Sequence, residues 1–225
     1  MTLAEGPRTT SGVLLMSGVV PLEGRGELPF VDLRGEPLFL HAVRSLLAVA
    51  EVAGRVVVTA VPEQAELATA SLGRAELAVP VEAASSWWSE RTAAGGLVLV
   101  HDPLCPLTPV AFLERCLERG NKERAVVAFR PVTDTIKTVV GDRVLGTLDR
   151  DRFGVVSSPV AFAAPVDDPM VAPPTHDPAA MVGWLGERGD VELVEAPTLA
   201  RRVEDSSAVA VLACLADLTG AVPRS

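Results

Sequence analysis

The sequence has 225 residues, which is enough to bury a full hydrophobic core. It carries 20 Lys and Arg residues against 29 Asp and Glu residues, and the net charge of −9 argues against a broad nucleic-acid surface and against adhesion to anionic membranes. No apolar stretch approaches the roughly 20 residues of a membrane helix, and the amino terminus lacks the pattern of a signal peptide. We therefore expect a cytoplasmic protein with no membrane or nucleic-acid partner, whose three cysteines are reduced thiols.

Short apolar runs alternate with helical patterns over the first 130 residues. The runs predict buried strands at 13–21, 55–61, 77–81, 97–100 and 125–129. Apolar residues at helical spacing predict helices at 37–49, 63–71 and 110–119. This alternation predicts an α/β fold with a mainly parallel sheet flanked by helices, and a site in the loops beyond the carboxyl ends of the strands.

The pattern changes from Pro131 onwards. Two β-rich runs, 135–140 and 143–148, flank a Gly-Asp turn and predict a hairpin that projects from the sheet. The remaining segments predict a strand at 154–162, an irregular loop at 166–178, a helix at 178–188, a strand at 191–194 and a closing helix at 206–218. We expect a single domain over residues 1–225, with an arm at about 131–162.

Three segments carry motifs whose order and spacing point to one family. They are His-Asp-Pro-Leu-Cys-Pro at 101–106, Pro-Val-Thr-Asp-Thr-Ile-Lys at 131–137, and Thr-Leu-Asp-Arg at 147–150 followed by Ser158-Pro159. Together they resemble the His-Asp-Ala-Ala-Arg-Pro, Pro-Val-x-Asp-Thr-x-Lys, Thr-x-Asp-Arg and Thr-Pro-Gln motifs of the 2-C-methyl-D-erythritol 4-phosphate cytidylyltransferases of non-mevalonate isoprenoid biosynthesis. The resemblance covers roughly residues 13–220.

The resemblance implies a Rossmann-like nucleotidyltransferase fold and a reaction that converts CTP and a sugar-alcohol phosphate to a CDP-sugar alcohol and pyrophosphate. It implies that Asp102 is a catalytic residue that binds Mg²⁺. It also implies an arm-exchanged homodimer, in which each arm contributes to the neighbour's substrate site. The substrate-binding residues carried over in this way are Thr135, Lys137, Arg150 and Ser158.

The loop at 21–30 departs from the family's nucleotide-binding pattern. The family has Pro-Ala-Ala-Gly-x-Gly-x-Arg, followed by Pro-Lys, where this chain has Pro-Leu-Glu-Gly-Arg-Gly-Glu-Leu-Pro-Phe. Gly24 and Gly26 stay in register as nucleotide-binding residues, and Arg25 is the displaced candidate for the catalytic cation. Glu23 and Glu27 would lie beside bound phosphate and repel it.

Other cations and nucleotide contacts of the family are also missing. Cys105 stands in place of the turn's Arg, Val160 in place of the Gln, and Arg201 and Arg202 lie near the position of a lost Lys. Two interpretations follow. One is a cytidylyltransferase with weakened or lost CTP turnover, which uses Mg²⁺ where it is active and Arg25, Arg201 or Arg202 as replacement cations. The other is a non-catalytic homodimeric paralogue, needing no metal, that binds a phosphate ligand or acts as a regulatory protein.

Other polar and aromatic residues have a structural interpretation beside a functional one. Cys105 and His101 could form a nucleophile–base pair, but no third orienting group can be assigned. His41 is predicted to be a hydrogen-bonded core histidine and His176 to face solvent. Trp87-Trp88 either packs in the core or stacks on a nucleotide base.

Overall fold

The computed structural model describes residues 16–49, 55–164 and 172–219. The start of the first predicted strand, at 13–15, and the first part of the predicted loop, at 166–171, lie outside the described residues. The strands are β1 Met16–Pro21, β2 Asp32–Leu33, β3 Glu36–Pro37, β4 Val56–Thr59, β5 Val81–Glu82, β6 Leu97–Val100, β7 Arg124–Pro131, β8 Ile136–Val140, β9 Arg143–Leu148, β10 Gly154–Ala163 and β11 Asp190–Glu195. The helices are α1 Leu38–Ala48, α2 Pro62–Arg74, α3 Ala84–Ala94, α4 Val110–Arg119, α5 Pro178–Gly186 and α6 Ser206–Thr219.

A seven-stranded sheet organises the fold, with the strand order β11-β7-β10-β6-β1-β4-β5. All neighbouring strands are parallel except that β10 runs antiparallel to both β7 and β6. The chain leaves β7, passes through the hairpin β8–β9 and returns beside β7 in the antiparallel direction as β10. The predicted α/β class with a mainly parallel sheet is confirmed.

Successive strand residues point to opposite faces of the sheet, so the sheet separates two apolar cores. Val20 and Val58 pack in one cluster with residues of α1, α2 and α4. Their neighbours Val19 and Val57 pack in a second cluster with residues of α3 and α5. Helix α6 covers a third cluster that includes Leu104, beside the carboxyl end of β6. The helices therefore hold the sheet from both sides and leave the loops at its carboxyl edge free to form a site.

Helix α3 was not predicted from the sequence. Its sequence, Ala-Ser-Ser-Trp-Trp-Ser-Glu-Arg-Thr-Ala-Ala, has no apolar stripe at helical spacing, because its two tryptophans are adjacent. The strand predicted at 77–81 is largely wrong: β5 is Val81–Glu82 alone. Pro80 has no N–H to donate to a ladder, and its carbonyl accepts the hydrogen bond from Val58 N–H just before the strand begins.

The predicted hairpin is confirmed, with β8 and β9 joined through Gly141 at φ 59°. In the described part of the chain these two strands pair only with one another, as a separate two-stranded sheet. No helix of the described residues is long and apolar enough to cross a membrane. The cytoplasmic location stays a prediction.

Candidate functional site

The loops that follow β1 and β6 lie side by side at the carboxyl edge of the sheet. The two strands are parallel neighbours, with Val19 paired to Val100, and the N–H of His101 donates to the carbonyl of Val19 at 2.9 Å. The glycine-rich loop at 22–27 therefore lies beside Asp102. This is the edge at which the sequence predicts a site.

Asp102 lies between two arginines. Its Oδ2 atom is 3.0 Å from Arg25 Nη2 and accepts a hydrogen bond from Arg202 Nε at 3.1 Å. Its Oδ1 atom accepts the N–H of Leu104 at 2.9 Å. Both carboxylate oxygens are thus engaged within the protein.

Arg25 is held almost entirely inside the protein, with 3% of its side chain exposed. Besides Asp102, its guanidinium donates to the carbonyl of His176 at 2.6 Å and to the carbonyl of Thr175 at 3.2 Å. These contacts tie the first loop to the segment before α5. The positive charge of Arg25 is therefore neutralised by Asp102 and is not presented at the surface of the loop.

Asp102 is already engaged where the family resemblance implies a divalent cation. Its Oδ1 atom accepts one hydrogen bond, and its Oδ2 atom is contacted by Arg25 and Arg202, with which Mg²⁺ would have to compete. Over 16–49, 55–164 and 172–219, no group of three or more His, Cys, Asp or Glu side chains could hold a metal ion. The guanidinium groups of Arg25 and Arg202 therefore lie against Asp102 at the position where the family resemblance implies the metal.

The two predicted nucleotide-binding glycines are both exposed but differ in the space around them. Gly24 has φ 70° and Gly26 has φ 58°, a backbone region that side chains rarely adopt. A Cβ atom at Gly24 would lie 3.1 Å from the Cβ of His176, whereas nothing lies within 4 Å of one at Gly26. His176 is exposed, as predicted, and its side chain lies against one side of Gly24.

Glu23 places a carboxylate inside the loop. Its Oε2 atom accepts the hydroxyl hydrogen bond of Thr59 at 3.0 Å, and its buried Oε1 atom has no hydrogen-bond partner among the described residues. Burial raises the pKa of Glu23 above its ordinary value, although the Thr59 hydrogen bond and the nearby charge of Arg25 oppose this. The loop therefore contains a half-buried acid where a triphosphate would require positive charge or N–H groups.

The raised pKa of Glu23 predicts a pH-dependent effect of Glu23→Gln on stability. The folded state holds this proton more tightly than the unfolded state, so its contribution to stability is lost as pH rises from the ordinary value of 4.5 through the folded-state pKa. We expect the variant to be more stable than the wild type at about pH 7.5 and equally stable at about pH 3.5, measured by urea unfolding. Glu27→Gln, in the exposed part of the same loop, is the control. A stability difference between Glu23→Gln and wild type that does not change with pH would contradict this account.

Ser158 lies behind the turn rather than at its surface. It is 1% exposed, contacts His101 Nδ1 through its hydroxyl at 2.6 Å, and accepts the N–H of Asp102 at 2.9 Å. Its position supports a role in orienting the turn at 101–102 more than the predicted direct contact with substrate.

Burial lowers the pKa of His101 to about 4 and raises the pKa of the Cys105 thiol. Both side chains are fully buried, and His101 Nδ1 lies against the Ser158 hydroxyl, so the structure does not favour a nucleophile–base pair of these two residues.

A cavity of about 450 Å³ opens next to Arg202, between the base of the arm and the start of α6. Its cationic lining residues are Arg130, Arg201 and Arg202, and Thr133 and Asp134 of the second motif also line it. Arg201 is exposed, and no carboxylate lies within 4.0 Å of its guanidinium in the described ranges. This cavity provides a cation for an anionic ligand on the side of the arm.

The remaining predicted substrate residues lie on the exposed arm. Lys137 Nζ donates to the hydroxyl of Thr147 at 2.5 Å, and Arg150 Nη1 donates to the carbonyl of Thr133 at 2.5 Å. Thr135 is exposed just before β8. None of these three side chains lines the cavity beside Arg202.

Two of the structural interpretations from the sequence are confirmed. His41 is buried, and its Nε2 lies 2.8 Å from the carbonyl oxygen of Leu33. Trp88 is 2% exposed and packs against Phe162 and Trp184, with ring centroids 5.8 and 6.3 Å away. Trp88 is therefore part of the core and is not available to stack on a base.

Comparison with known proteins identifies a family. The family model described as IspD, 2-C-methyl-D-erythritol 4-phosphate cytidylyltransferase, matches residues 23–195. A curated enzyme of that name from Rhodococcus jostii is 36% identical over 189 residues, covering 76% of this chain and 82% of the relative.

Solved structures confirm the predicted nucleotidyltransferase fold. The crystal structure of 2-C-methyl-D-erythritol 4-phosphate cytidylyltransferase from Thermus thermophilus superposes with a TM-score of 0.67 at 22% identity, covering 89% of this chain and 98% of that one. The 4-diphosphocytidyl-2C-methyl-D-erythritol synthase of Anaerococcus prevotii gives a TM-score of 0.70 at 15% identity, covering 91% and 96%. At these identities the likeness establishes the fold alone.

Proposed function

Since the chain belongs to the 2-C-methyl-D-erythritol 4-phosphate cytidylyltransferase family, we propose that it retains a site for a sugar-alcohol phosphate while its turnover of CTP is weakened or lost. The observation that carries this proposal is the pairing of Asp102 with Arg25 and Arg202, beside a loop that contains Glu23. We place the protein in the cytoplasm, without a nucleic-acid or membrane partner.

Nucleotidyl transfer brings two polyanions together, so an active site must present positive charge and N–H groups to the phosphates. Here the loop's cation, Arg25, is already engaged by Asp102 and two carbonyl groups. A triphosphate would have to displace these contacts and lie close to Glu23. Each missing charge-assisted contact weakens binding by about 1.5–3 kcal/mol, so the loss of several would reduce CTP affinity by orders of magnitude.

The cavity beside Arg202 differs from the glycine-rich loop, because it offers a cation that is not engaged by a carboxylate. Arg201 supplies an unneutralised cation for a phosphate, and Asp134, Glu204 and Asp205 line the same space. Carboxylates accept hydrogen bonds from hydroxyl groups, so a cation next to acidic residues suits a molecule with one phosphate and several hydroxyls. This chemistry supports a sugar-alcohol phosphate as the ligand.

Calorimetry with 2-C-methyl-D-erythritol 4-phosphate tests whether the cavity beside Arg202 binds a sugar-alcohol phosphate. We expect saturable binding by the wild type and binding weakened at least about tenfold in Arg201→Gln, because one charge-assisted contact is lost. Arg74→Gln, which removes an exposed arginine of α2 outside the cavity, is the matched control and should bind as the wild type does. Absence of binding to the wild type, or equal binding by Arg201→Gln, would refute the phosphate site.

We further propose that the protein is a homodimer formed by exchange of the arms. Apolar side chains are unusually exposed on and beside the hairpin, including Val140 at 63%, Val144 at 62% and Leu145 at 64%. Exposed apolar side chains concentrated in one part of the chain favour association. Exchange would also bring Thr135, Lys137 and Arg150 to the neighbour's cavity, as the family resemblance implies.

Leu145→Asp is expected to convert the dimer to a monomer, because a charge would be buried in the interface without a partner. Size-exclusion chromatography with light scattering gives the mass directly. Leu218→Asp, which changes an 84% exposed leucine of α6, is the control and should leave the dimer intact. A wild type that is monomeric at micromolar concentration would contradict the dimer.

Family membership favours a second candidate function, an active cytidylyltransferase. The 36% identity to the Rhodococcus jostii enzyme supports it, with Arg25, Arg201 or Arg202 supplying the positive charge that the lost residues provide elsewhere in the family. A third possibility, a non-catalytic regulatory protein that binds a phosphate ligand, shares the retained site. Turnover of CTP distinguishes the active enzyme from the other two.

A further inference from the structure

A second large cavity lies at the edge of the sheet opposite Asp102. It has a volume of about 450 Å³ and opens at the amino ends of β1 and β4, under α3. Ser17, Arg55 and Arg91 form its polar part, while Val57, Val79 and Trp87 contribute apolar wall. None of these residues belongs to the site at the carboxyl edge, and none is part of a motif that carries the family resemblance.

Two guanidinium groups converge on one hydroxyl in this cavity. Arg91 Nη1 donates to Ser17 Oγ at 2.6 Å, and Arg55 Nε donates to the same oxygen at 3.3 Å. Two cations that share a neutral acceptor repel one another at close range. Such an arrangement is unfavourable unless an anion lies between or beside them.

The charge of this pair is not compensated within the described residues. Neither guanidinium has a carboxylate within 4.0 Å there, although Glu82 and Glu90 also line the cavity. Arg91 is 4% exposed, and its buried Nε atom has no hydrogen-bond partner among the residues that the structure describes. Burial and the neighbouring Arg55 lower the pKa of Arg91. A buried arginine donor without an acceptor is rare, because arginine is almost never buried unless it is paired.

We propose that this cavity binds a small amphipathic anion, a single phosphate or carboxylate group on an apolar body. The anionic group accepts hydrogen bonds from Arg91 and Arg55, and the apolar body lies against Trp87, Val57 and Val79. Arginine suits such a group because its planar donors match the oxygens of a phosphate or carboxylate.

The other lining residues restrict the ligand class. Glu82 and Glu90 would repel a molecule with several anionic groups, so nucleotides and polyphosphates are disfavoured. Apolar walls are typical of sites that bury the body of a small molecule and fix it by a few polar groups. A volume of about 450 Å³ accommodates a ligand with a short alkyl chain or one ring system.

Hexyl phosphate is a suitable probe because it carries one phosphate on an apolar chain. We expect saturable binding to the full-length wild-type protein by calorimetry, and binding weakened at least about tenfold in Arg55→Gln, since one charge-assisted contact is removed. Arg55 is exposed at the mouth of the cavity, so this variant should fold normally. Arg74→Gln is the matched control, because Arg74 is also exposed and also donates to a serine hydroxyl, that of Ser71 at 3.0 Å.

Two further ligands test the anionic group and the apolar body separately: inorganic phosphate and hexanol should each bind more weakly than hexyl phosphate. One further variant tests which cavity binds the probe: Arg201→Gln, at the cavity beside Arg202, should leave hexyl phosphate binding unchanged. The proposal is overturned if hexyl phosphate does not bind, if Arg55→Gln binds it as the wild type does, or if the loss appears in Arg201→Gln instead. Equal binding of inorganic phosphate or of hexanol would also overturn the amphipathic ligand class.

Discussion

Asp102→Ala is expected to lower the free energy of unfolding by about 3 kcal/mol, because it leaves two arginines without their counter-charge. Arg25 has 3% of its side chain exposed and its ion pair with Asp102 is 3.0 Å long, so this cation cannot move into water without opening the loop. The side chain of Arg202 is more exposed, at 29%, so water replaces part of its interaction with Asp102 and the substitution costs less stability there. The estimate therefore lies at the lower end of the range for a broken buried pair.

The sign of this effect distinguishes two roles for Asp102. A carboxylate held ready for a metal ion in an open site is unneutralised when the metal is absent, so its removal leaves stability unchanged or increases it. A carboxylate that forms ion pairs with two arginines stabilises the fold. Urea unfolding without added metal measures the difference, and a double-mutant cycle with Arg202→Gln isolates the Asp102–Arg202 contribution. Unchanged or increased stability of Asp102→Ala would contradict the ion-pair arrangement.

Glu23→Ala is expected to increase the affinity for CTP at least about tenfold, or ~1.4 kcal/mol. The substitution removes the carboxylate from the glycine-rich loop and introduces the small residue that the family carries at this position. Repulsion between single charges about 8 Å apart amounts to ~2 kcal/mol at an effective dielectric constant of about 20, and a triphosphate carries several charges. The buried Oε1 atom of Glu23, which has no hydrogen-bond partner in the described residues, adds no compensating contact.

Calorimetric titration of CTP into wild type, Glu23→Ala and Glu27→Ala measures this effect. Glu27 is exposed in the same loop, so its removal changes the net charge equally but should alter affinity less. Equal gains in both variants would indicate a general effect of net charge. An unchanged or weaker affinity in Glu23→Ala would show that Glu23 does not oppose nucleotide binding.

Much of the fold was predictable because its local signals agree with its tertiary structure. Strand Leu97–Val100 and helix Val110–Arg119 have the predicted bounds, since a continuous apolar run and a strong apolar stripe each suit the environment that the sheet provides. Helix Ala84–Ala94 lacks such a stripe. Its position depends on Trp88, which packs against residues from β10 and α5 that are distant in sequence.

The site was only partly predictable. The motif around Asp102 located the correct turn, but its pairing with Arg202 joins residues 100 positions apart. Likewise, the carbonyls that hold Arg25 lie about 150 positions further along the chain. Ser158 was predicted as a substrate residue from its place in a motif, whereas its burial depends on how β10 packs beside β6. The motifs indicated candidate residues, and only the tertiary structure shows which of their charges are already paired.

The most direct test of the proposed function is release of pyrophosphate from CTP and 2-C-methyl-D-erythritol 4-phosphate in the presence of Mg²⁺. The Rhodococcus jostii relative, assayed in parallel, is the positive control. We predict that this protein binds the sugar-alcohol phosphate but releases pyrophosphate at least about a hundredfold more slowly than the relative, as the loss of two charge-assisted contacts would cause. Turnover equal to that of the relative, abolished in Asp102→Ala, would contradict the proposal and establish an active cytidylyltransferase.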